Sequence, residues 1–517
     1  MARVRKSGIL LHPTSLPGPG GIGSFGVEAR GFVDFLRDAG QSIWQILPLG
    51  PTAFGNSPYM CYSAFAGNPL LIDLRLLVEE GDLKESALQD EISSERVAYD
   101  LAKEYKAAAL GRAATSFFAS ADRSRLEEFW HFCDTTPWLH DYALFMALKD
   151  RYGKKKWCDW PERFALRHDA ALKEASSMLG TEIGVLKYSQ WQFFRQWHGL
   201  KTYANQRGIG IFGDIPIFVA FDSAEVWANP RLFQLDGKGR PRVVAGVPPD
   251  YFSSTGQLWG NPLYDWEEMA RCGYAWWIDR FRSALMLHDL VRIDHFRGFE
   301  ACWEVPADEK TAEGGAWVKG PGEAVFHAFR REFGELPVVA EDLGVITPEV
   351  ELLRDKFSFP GMKILQFAFD SGPDNPYLPH NHVRNSVVYT GTHDNDTTAG
   401  WFGSLSRDAR KKVLHYLGSK GGDFVWDLMR VALASVADTA IIPLQDVLEL
   451  PGSCRMNLPG SASGNWSWRF RPEDLSGRLA DRLADLSGLY GRNRDEQGGA
   501  FSFQTTPEGE QSCQKRN

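Results

Sequence analysis

Val291-Arg292-Ile293-Asp294-His295 runs an apolar strand straight into a carboxylate, and two later stretches repeat the pattern. They are Val338-Val339-Ala340-Glu341-Asp342-Leu343-Gly344 and Val388-Tyr389-Thr390-Gly391-Thr392-His393-Asp394-Asn395. The spacing between the three acids accommodates one strand–helix unit with a long loop and then two lean units. All three acids are therefore predicted to converge if the strands lie side by side. Outward from these stretches, five more short apolar runs have strand character: Ser7 to His12, Ser42 to Leu47, Gly210 to Pro216, Lys363 to Phe369 and Thr439 to Pro443. With Asp289 to Asp294, Pro337 to Glu341 and Ser386 to Thr390 this makes eight, many of them separated by amphipathic helical stretches. Eight such units predict an α/β fold, a closed (β/α)8 TIM barrel whose site is built at the C-terminal strand ends. An open dinucleotide-binding sheet loses its usual marker, since no GxGxxG follows the first run.

The intervening sequence sets the domain expectation. Residues 1–74 and 204–492 are expected to form the barrel with long loop insertions, and 75–203 a mostly helical inserted subdomain. No separate C-terminal β-domain is expected, and 493–517, polar and Gly-containing, reads as a disordered tail. Within the helical stretch Tyr188, Trp191, Phe194, Trp197 and Leu200 step by three and four, which marks an apolar helix face built for packing rather than for a ligand. Ala224 to Trp266 is rich in Pro, Gly and aromatics and too long for a plain connection, so it reads as a loop over the site. Leu475, Leu479, Leu483, Leu486 and Tyr490 predict a last packing helix.

Composition narrows the partner. The 517 residues carry a net charge of −9 and no long basic run, which argues against nucleic acid or an anionic membrane surface. No apolar stretch approaches the length of a membrane helix. The basic Met1 to Lys6 precedes an apolar run too short for a signal-peptide core. Seven cysteines form no CxxC pair, which predicts a reducing, cytoplasmic location and no zinc site. Neither a P-loop nor a His/Cys ligand cluster is present, so no cofactor and no metal are expected. The 18 Trp, 15 Tyr and 33 Phe suit stacking against sugar rings, although a large aromatic core explains them more readily.

In a strand Arg292 and Asp294 share a face, and a guanidinium beside that carboxylate keeps it ionised, as an attacking nucleophile must be. A retaining glycosidase pairs such a group with a protonated carboxyl about 5–5.5 Å away. Glu341 fits that second role. Asp342 follows it directly and would face away along a continued strand, toward sugar hydroxyls or neighbouring backbone. Any one acid at a strand end is more often a helix cap or ion-pair partner; three at converging ends favour chemistry.

These three segments, in this order, resemble the nucleophile, acid and stabiliser segments of the α-amylase superfamily. Ser57-Pro58-Tyr59, Ser63 to Pro69, Gly213 to Val219, Pro443 to Leu448, Asn457-Leu458-Pro459-Gly460 and Asn465 to Arg469 resemble the amylomaltases, the 4-α-glucanotransferases of glycoside hydrolase family 77. So does His12 to Gly18. The resemblance runs from about residue 7 to 470. It implies transfer of α-1,4-glucan segments (maltooligosaccharides, amylose) to a glucose, maltose or glucan 4-hydroxyl, with Asp294 as nucleophile, Glu341 as general acid/base and Asp394 gripping the 2- and 3-hydroxyls. It also implies that Tyr59, Asp214, Gln257, Trp259, Arg292, Asp342, Phe367, Asp370, His393 and Asn465 hold substrate. The sequence departs from the family in Met60, where Gln usually follows the Tyr, which puts a donor-side hydrogen bond and chain-length preference in question. An α-amylase-type hydrolase with the same three acids is the competing expectation, and a non-catalytic glucan-binding protein a second.

Overall fold

The computed structural model describes residues 5–88, 95–249, 253–461 and 463–493. The expected tail therefore falls, apart from Asn493, outside the described residues, as do residues 1–4 of the basic N-terminus and Cys513. Eight strands form one parallel sheet: β1 (Lys6–Leu10), β2 (Ile43–Gln45), β3 (Gly210–Pro216), β4 (Leu290–Asp294), β5 (Val338–Ala340), β6 (Gly361–Ile364), β7 (Ser386–Tyr389) and β8 (Thr439–Pro443). They are ordered β6-β7-β8-β1-β2-β3-β4-β5, so neighbours in sequence are neighbours in space. The ring is completed between β5 and β6 by the Ala340 N–H donating to the Pro360 carbonyl at 2.9 Å. Asp342 brackets the same junction, its Oδ1 accepting from the Met362 N–H at 2.7 Å.

The period-two alternation of these strands sorts their side chains into two populations. Leu10, Ile43, Phe212, Val339, Met362, Ile364, Val387, Tyr389 and Ile441 fill the barrel interior as one cluster. Their neighbours in sequence, among them Ile9, Trp44, Ile211, Val388 and Ile442, face outward and are covered by helices. Val291, Ile293, Val338 and Ala340 do the same on the other side of the barrel. This parity decides the site, because Asp214 continues the inward row of Phe212, and Arg292 and Asp294 that of Leu290.

All eight expected strands are present. The sixth differs: it starts at Gly361 and stops at Ile364, because Leu365–Phe367 winds into a 3-10 turn with Leu365 and Gln366 buried. The described residues between Leu74 and Gln206 are mostly helical, and Tyr188, Trp191, Trp197 and Leu200 are buried, as their spacing predicts for a packing face. They belong to the same apolar cluster as Phe32 and Trp44 of the barrel layer, and the helix Gly180–Gln206 passes the chain directly to β3. The stretch read as a loop, Ala224 to Trp266, is instead partly folded. Val243–Val247 and Gln257–Pro262 join Ala301–Pro306 and Ala316–Lys319 in a four-stranded antiparallel sheet. Val243, Val244 and Ala245 gain ladder partners there, on an interior strand of that sheet, which a simple connection would not offer. After β8 the described residues form no further strand, only helices, turns and one isolated bridge from Trp468 to Arg96, and the last helix is Gly477–Leu489, where Leu483 and Leu486 are buried.

Candidate active site

The mouth at the C-terminal strand ends is organised by one buried guanidinium. Arg292 lies opposite Asp214 in the β3–β4 register. Its Nη1 donates to Asp214 Oδ2 at 2.6 Å and its Nη2 to Asp294 Oδ1 at 2.7 Å. Burial alone would lower its pKa, but the two carboxylates outweigh that and hold it well above the ordinary value. Removing the guanidinium would leave Asp214 buried and unpaired, a loss of about 3–5 kcal/mol. The Tyr59 hydroxyl also donates to Asp214 Oδ2, at 2.7 Å. Burial pushes the Asp214 carboxyl up to about 7 against the pull of Arg292. Asp294 remains 29% exposed and so open to a ligand, with one oxygen fixed by Arg292.

Glu341 sits beside Asp294 in a different environment. Its Oε2 accepts from the His295 N–H at 2.7 Å and its Oε1 from the Leu343 N–H at 3.0 Å. The residue after Asp294 thus touches the Glu341 carboxyl directly. Burial pushes Glu341 up to about 8, the negative charge of Asp294 adds to this, and Arg292 and the two amides only partly oppose it. His295 reaches Glu341 through a left-handed backbone, φ +52° and ψ +50°, which is costly for a residue with a Cβ and recurs at functional sites.

The third acid lies on a turn. Thr390 Oγ1 and the Thr398 N–H and Oγ1 all donate to buried Asp446, at 2.6–2.7 Å, and Asn395 Oδ1 closes the turn on the Thr392 N–H. Asp394 stands on this turn, 48% exposed, with Oδ1 accepting from Asn457 Nδ2 at 2.6 Å and Oδ2 3.4 Å from His393 Nε2. The His393 ring stacks on Tyr59, centroids 5.1 Å apart at 15°, and lies 5.9 Å from Trp466. Burial lowers the His393 pKa, with Asp394 opposing, and its ring makes a flat aromatic wall with Tyr59.

These features give two neighbouring carboxyl groups, one held by a cation and partly open, the other buried and proton-retaining, with a third acid and an aromatic wall beside them. Such a set suits acid-assisted displacement at an acetal carbon. A family model described as 4-alpha-glucanotransferase matches residues 11–475. The chain belongs to this family. A 4-alpha-glucanotransferase of Synechocystis sp. is 55% identical over 495 residues, covering 94% of this chain and 98% of the relative. The enzyme of Thermus thermophilus is 54% identical, covering 93% and 98%. Among solved structures, the amylomaltase of Streptococcus agalactiae in complex with acarbose superposes with a TM-score of 0.92 at 40% identity, covering 95% of this chain and 100% of that one. The family and these relatives assign the chain 4-α-glucanotransferase activity, that of a glycosyltransferase-type enzyme, on an amylomaltase-like (β/α)8 barrel.

Against this 4-alpha-glucanotransferase frame, Asp214, Arg292, Asp294, Glu341, Tyr59, His393 and Asp394 gather at one mouth. Trp259 joins them from the antiparallel sheet, its ring edge-on to His295 at 4.8 Å and its Nε1 donating to Gln257 Oε1 at 3.2 Å. Phe367 and Asp370 occupy a neighbouring turn, where Phe367 meets Tyr377 edge-on at 5.6 Å and Asn375 Nδ2 donates to Asp370 Oδ1 at 2.9 Å. Asp342 stands apart: its oxygens are taken by Arg354 of the outer helix Pro348–Lys356 and by the Met362 N–H, so it serves the barrel wall. Asn465 likewise spends its amide on its own loop, bonding Leu458 N–H and O and Ser461 O. Met60 brings its sulfur 3.9 Å from Asn261 Nδ2, whose stronger bond goes to the Val219 carbonyl at 2.9 Å. Sequence reasoning missed Asn457, Trp466, Tyr377 and the role of His295. Three of these lie in quoted segments, Val291 to His295, Asn457-Leu458-Pro459-Gly460 and Asn465 to Arg469, so the signal was there without a partner to attach it to. Among the described residues, no group of three or more His, Cys, Asp or Glu is placed to hold a metal ion, and no helix is long and apolar enough to cross a membrane.

Proposed function

We propose that this enzyme transfers segments of α-1,4-glucans, such as maltooligosaccharides and amylose, to the 4-hydroxyl of glucose, maltose or another glucan by a retaining double displacement. The observation that carries the reading is the pair Asp294 and Glu341, adjacent through the His295 amide, the first bonded to the Arg292 guanidinium and the second buried with its pKa pushed up to about 8. Glu341 gives its proton to the glycosidic oxygen as an Asp294 oxygen attacks C1; the C1–O4 bond breaks and a glycosyl ester forms. An acceptor 4-hydroxyl then returns its proton to Glu341 while its oxygen attacks C1 and releases Asp294. Each Glu341 oxygen keeps a lone pair beyond the backbone bond it accepts, so proton carriage and anchoring coexist.

Asp394 grips the 2- and 3-hydroxyls, with Asp214, Arg292, His393 and Tyr59 lining the same sugar and Trp259, Gln257, Phe367 and Asp370 holding flanking units. Asp342 and Asn465 act indirectly, through the barrel wall and the 457–465 loop. Aromatic rims favour transfer over hydrolysis because a held acceptor has a far higher effective concentration than disordered water. The helices of 75–203 act as an insertion buttressing this mouth. The reaction needs no metal or organic cofactor, and the six described cysteines, all free, suit the cytoplasm. Incubation with pure maltotriose tests the whole: glucose plus a ladder of longer oligosaccharides supports transfer, whereas shorter products with steadily rising reducing ends would make the enzyme a hydrolase.

A further inference from the structure

Behind the mouth, lining one cavity with Tyr59 and Asp214, a second guanidinium is buried without a carboxylate within ion-pair distance. Arg280 lies on the helix Ala275–Leu287, whose inward stripe is otherwise Trp277, Phe281 and Ala284, and it is 3% exposed. Its Nη2 donates to the Pro216 carbonyl at 2.5 Å and its Nη1 to the Ile217 carbonyl at 2.9 Å. The Tyr264 hydroxyl donates to the same Ile217 carbonyl at 2.7 Å and accepts from Arg280 Nη1 at 3.1 Å. The guanidinium also rests near the faces of Trp277 and Trp276, 4.8 and 5.5 Å from their centroids. An apolar side chain of similar volume would fill this stripe without the cost of burying a charge, so packing alone gives no reason for an arginine here.

The held peptide explains the choice. Pro216 ends β3 in register with Asp294, and the Ile217 N–H donates to the Asp294 carbonyl at 3.2 Å. Arg280 Nη2 therefore grips the carbonyl side of the very peptide whose N–H side holds the main chain of Asp294, while Arg280 Nη1 and Tyr264 together hold the next carbonyl along. Beyond this point β3 leaves the sheet, so no further ladder bond fixes it. We propose that Arg280, assisted by Tyr264, is a positioning residue for the glycosyl-transfer step: it locks the Pro216–Ile217 peptide from outside the barrel and so holds the Asp294 carboxylate on the line of attack. A lysine cannot bridge two carbonyls with the fixed fork this requires. The inference rests on Asp294 being the nucleophile.

The test follows covalent labelling by 5-fluoro-α-D-glucosyl fluoride, in which fluoride leaves C1 as an Asp294 oxygen bonds to it, read by intact mass and peptide mapping. Wild-type enzyme labels at Asp294; label on another residue overturns the nucleophile reading and this inference with it. Arg280→Met lowers the labelling rate and the kcat for maltotriose by about 10–100-fold, the scale of an ångström-level misplacement, while KM stays within about twofold. Arg280→Lys recovers part of the loss. Tyr264→Phe, which removes one hydroxyl and no charge, loses about 3–10-fold in the same two quantities and keeps the question open to refutation should Arg280→Met not fold. A wild-type labelling rate in folded Arg280→Met or Tyr264→Phe, with only a lowered Tm, would reduce both residues to structural packing and overturn the proposal.

Discussion

The floor of the mouth and its rim are built on opposite plans. On the floor Asp214, Arg292, Asp294 and Glu341 stand on strands or directly after them; Asp214, Arg292 and Glu341 are tied to a neighbour from a different strand or its following turn, and Asp294 is held by Arg292 of its own strand. On the rim Asp394, Gln257, Trp259, Phe367 and Asp370 stand on turns or an outlying sheet and are more exposed, with partners drawn mostly from nearby loops. In the proposed mechanism the contrast separates chemistry from grip. Bond making needs a geometry held to fractions of an ångström, which the barrel ladder supplies, whereas chains of differing length need a surface that adjusts.

The largest effect that would break this contrast lies on the floor. Asp294→Asn is expected to cut kcat for maltotriose by about 10⁴-fold or more while the protein stays folded; a near-normal rate would mean that the floor does not do the chemistry. Next comes Glu341→Gln, expected to lose about 10²–10⁴-fold. In the wild type the rate falls as pH rises through about 8 and Glu341 gives up its proton, and this alkaline limb is absent from the residual activity of the variant. The same shift acts on stability. Because the folded value lies above the ordinary 4.5, protonation favours the fold, and stability is lost as pH climbs from about 4.5 to about 8. Glu341→Gln escapes that loss, so its Tm gains on the wild type toward alkaline pH; parallel Tm curves would contradict a buried, proton-retaining carboxyl. The smallest effect belongs to the rim: Trp259→Ala is expected to raise KM about 3–10-fold and increase the share of hydrolysis, read as reducing ends per transfer, with kcat little changed. A collapse of kcat there would erase the division between floor and rim.

Much of the floor was legible in the sequence because strand periodicity is a local code. Arg292 and Asp294, two apart, had to share a face, and Asp342, one beyond Glu341, had to turn toward the outer helix. The barrel count was legible for the same reason. The sixth strand slipped because Gly361 carries no hydrophobic signal, while Leu365 and Phe367 carry one in a 3-10 turn. The rim was less legible. Asn457 meets Asp394, and Trp466 meets His393, only because a long loop folds back, and no local pattern encodes that return. The sheet hidden in Ala224 to Trp266 was missed because one of its partner strands, Ala301–Pro306, comes from beyond β4.

The junction between β5 and β6 carries a consequence for how the enzyme fails. There a carboxylate side chain does part of the work that main-chain pairing does around the rest of the ring, and it does so one residue from Glu341. A cylinder with one thin stave joint opens at that joint first. Warming should therefore displace Glu341 while the Asp294 side of the molecule is still closed, and on the proposed mechanism this enzyme would lose its turnover before it loses its shape.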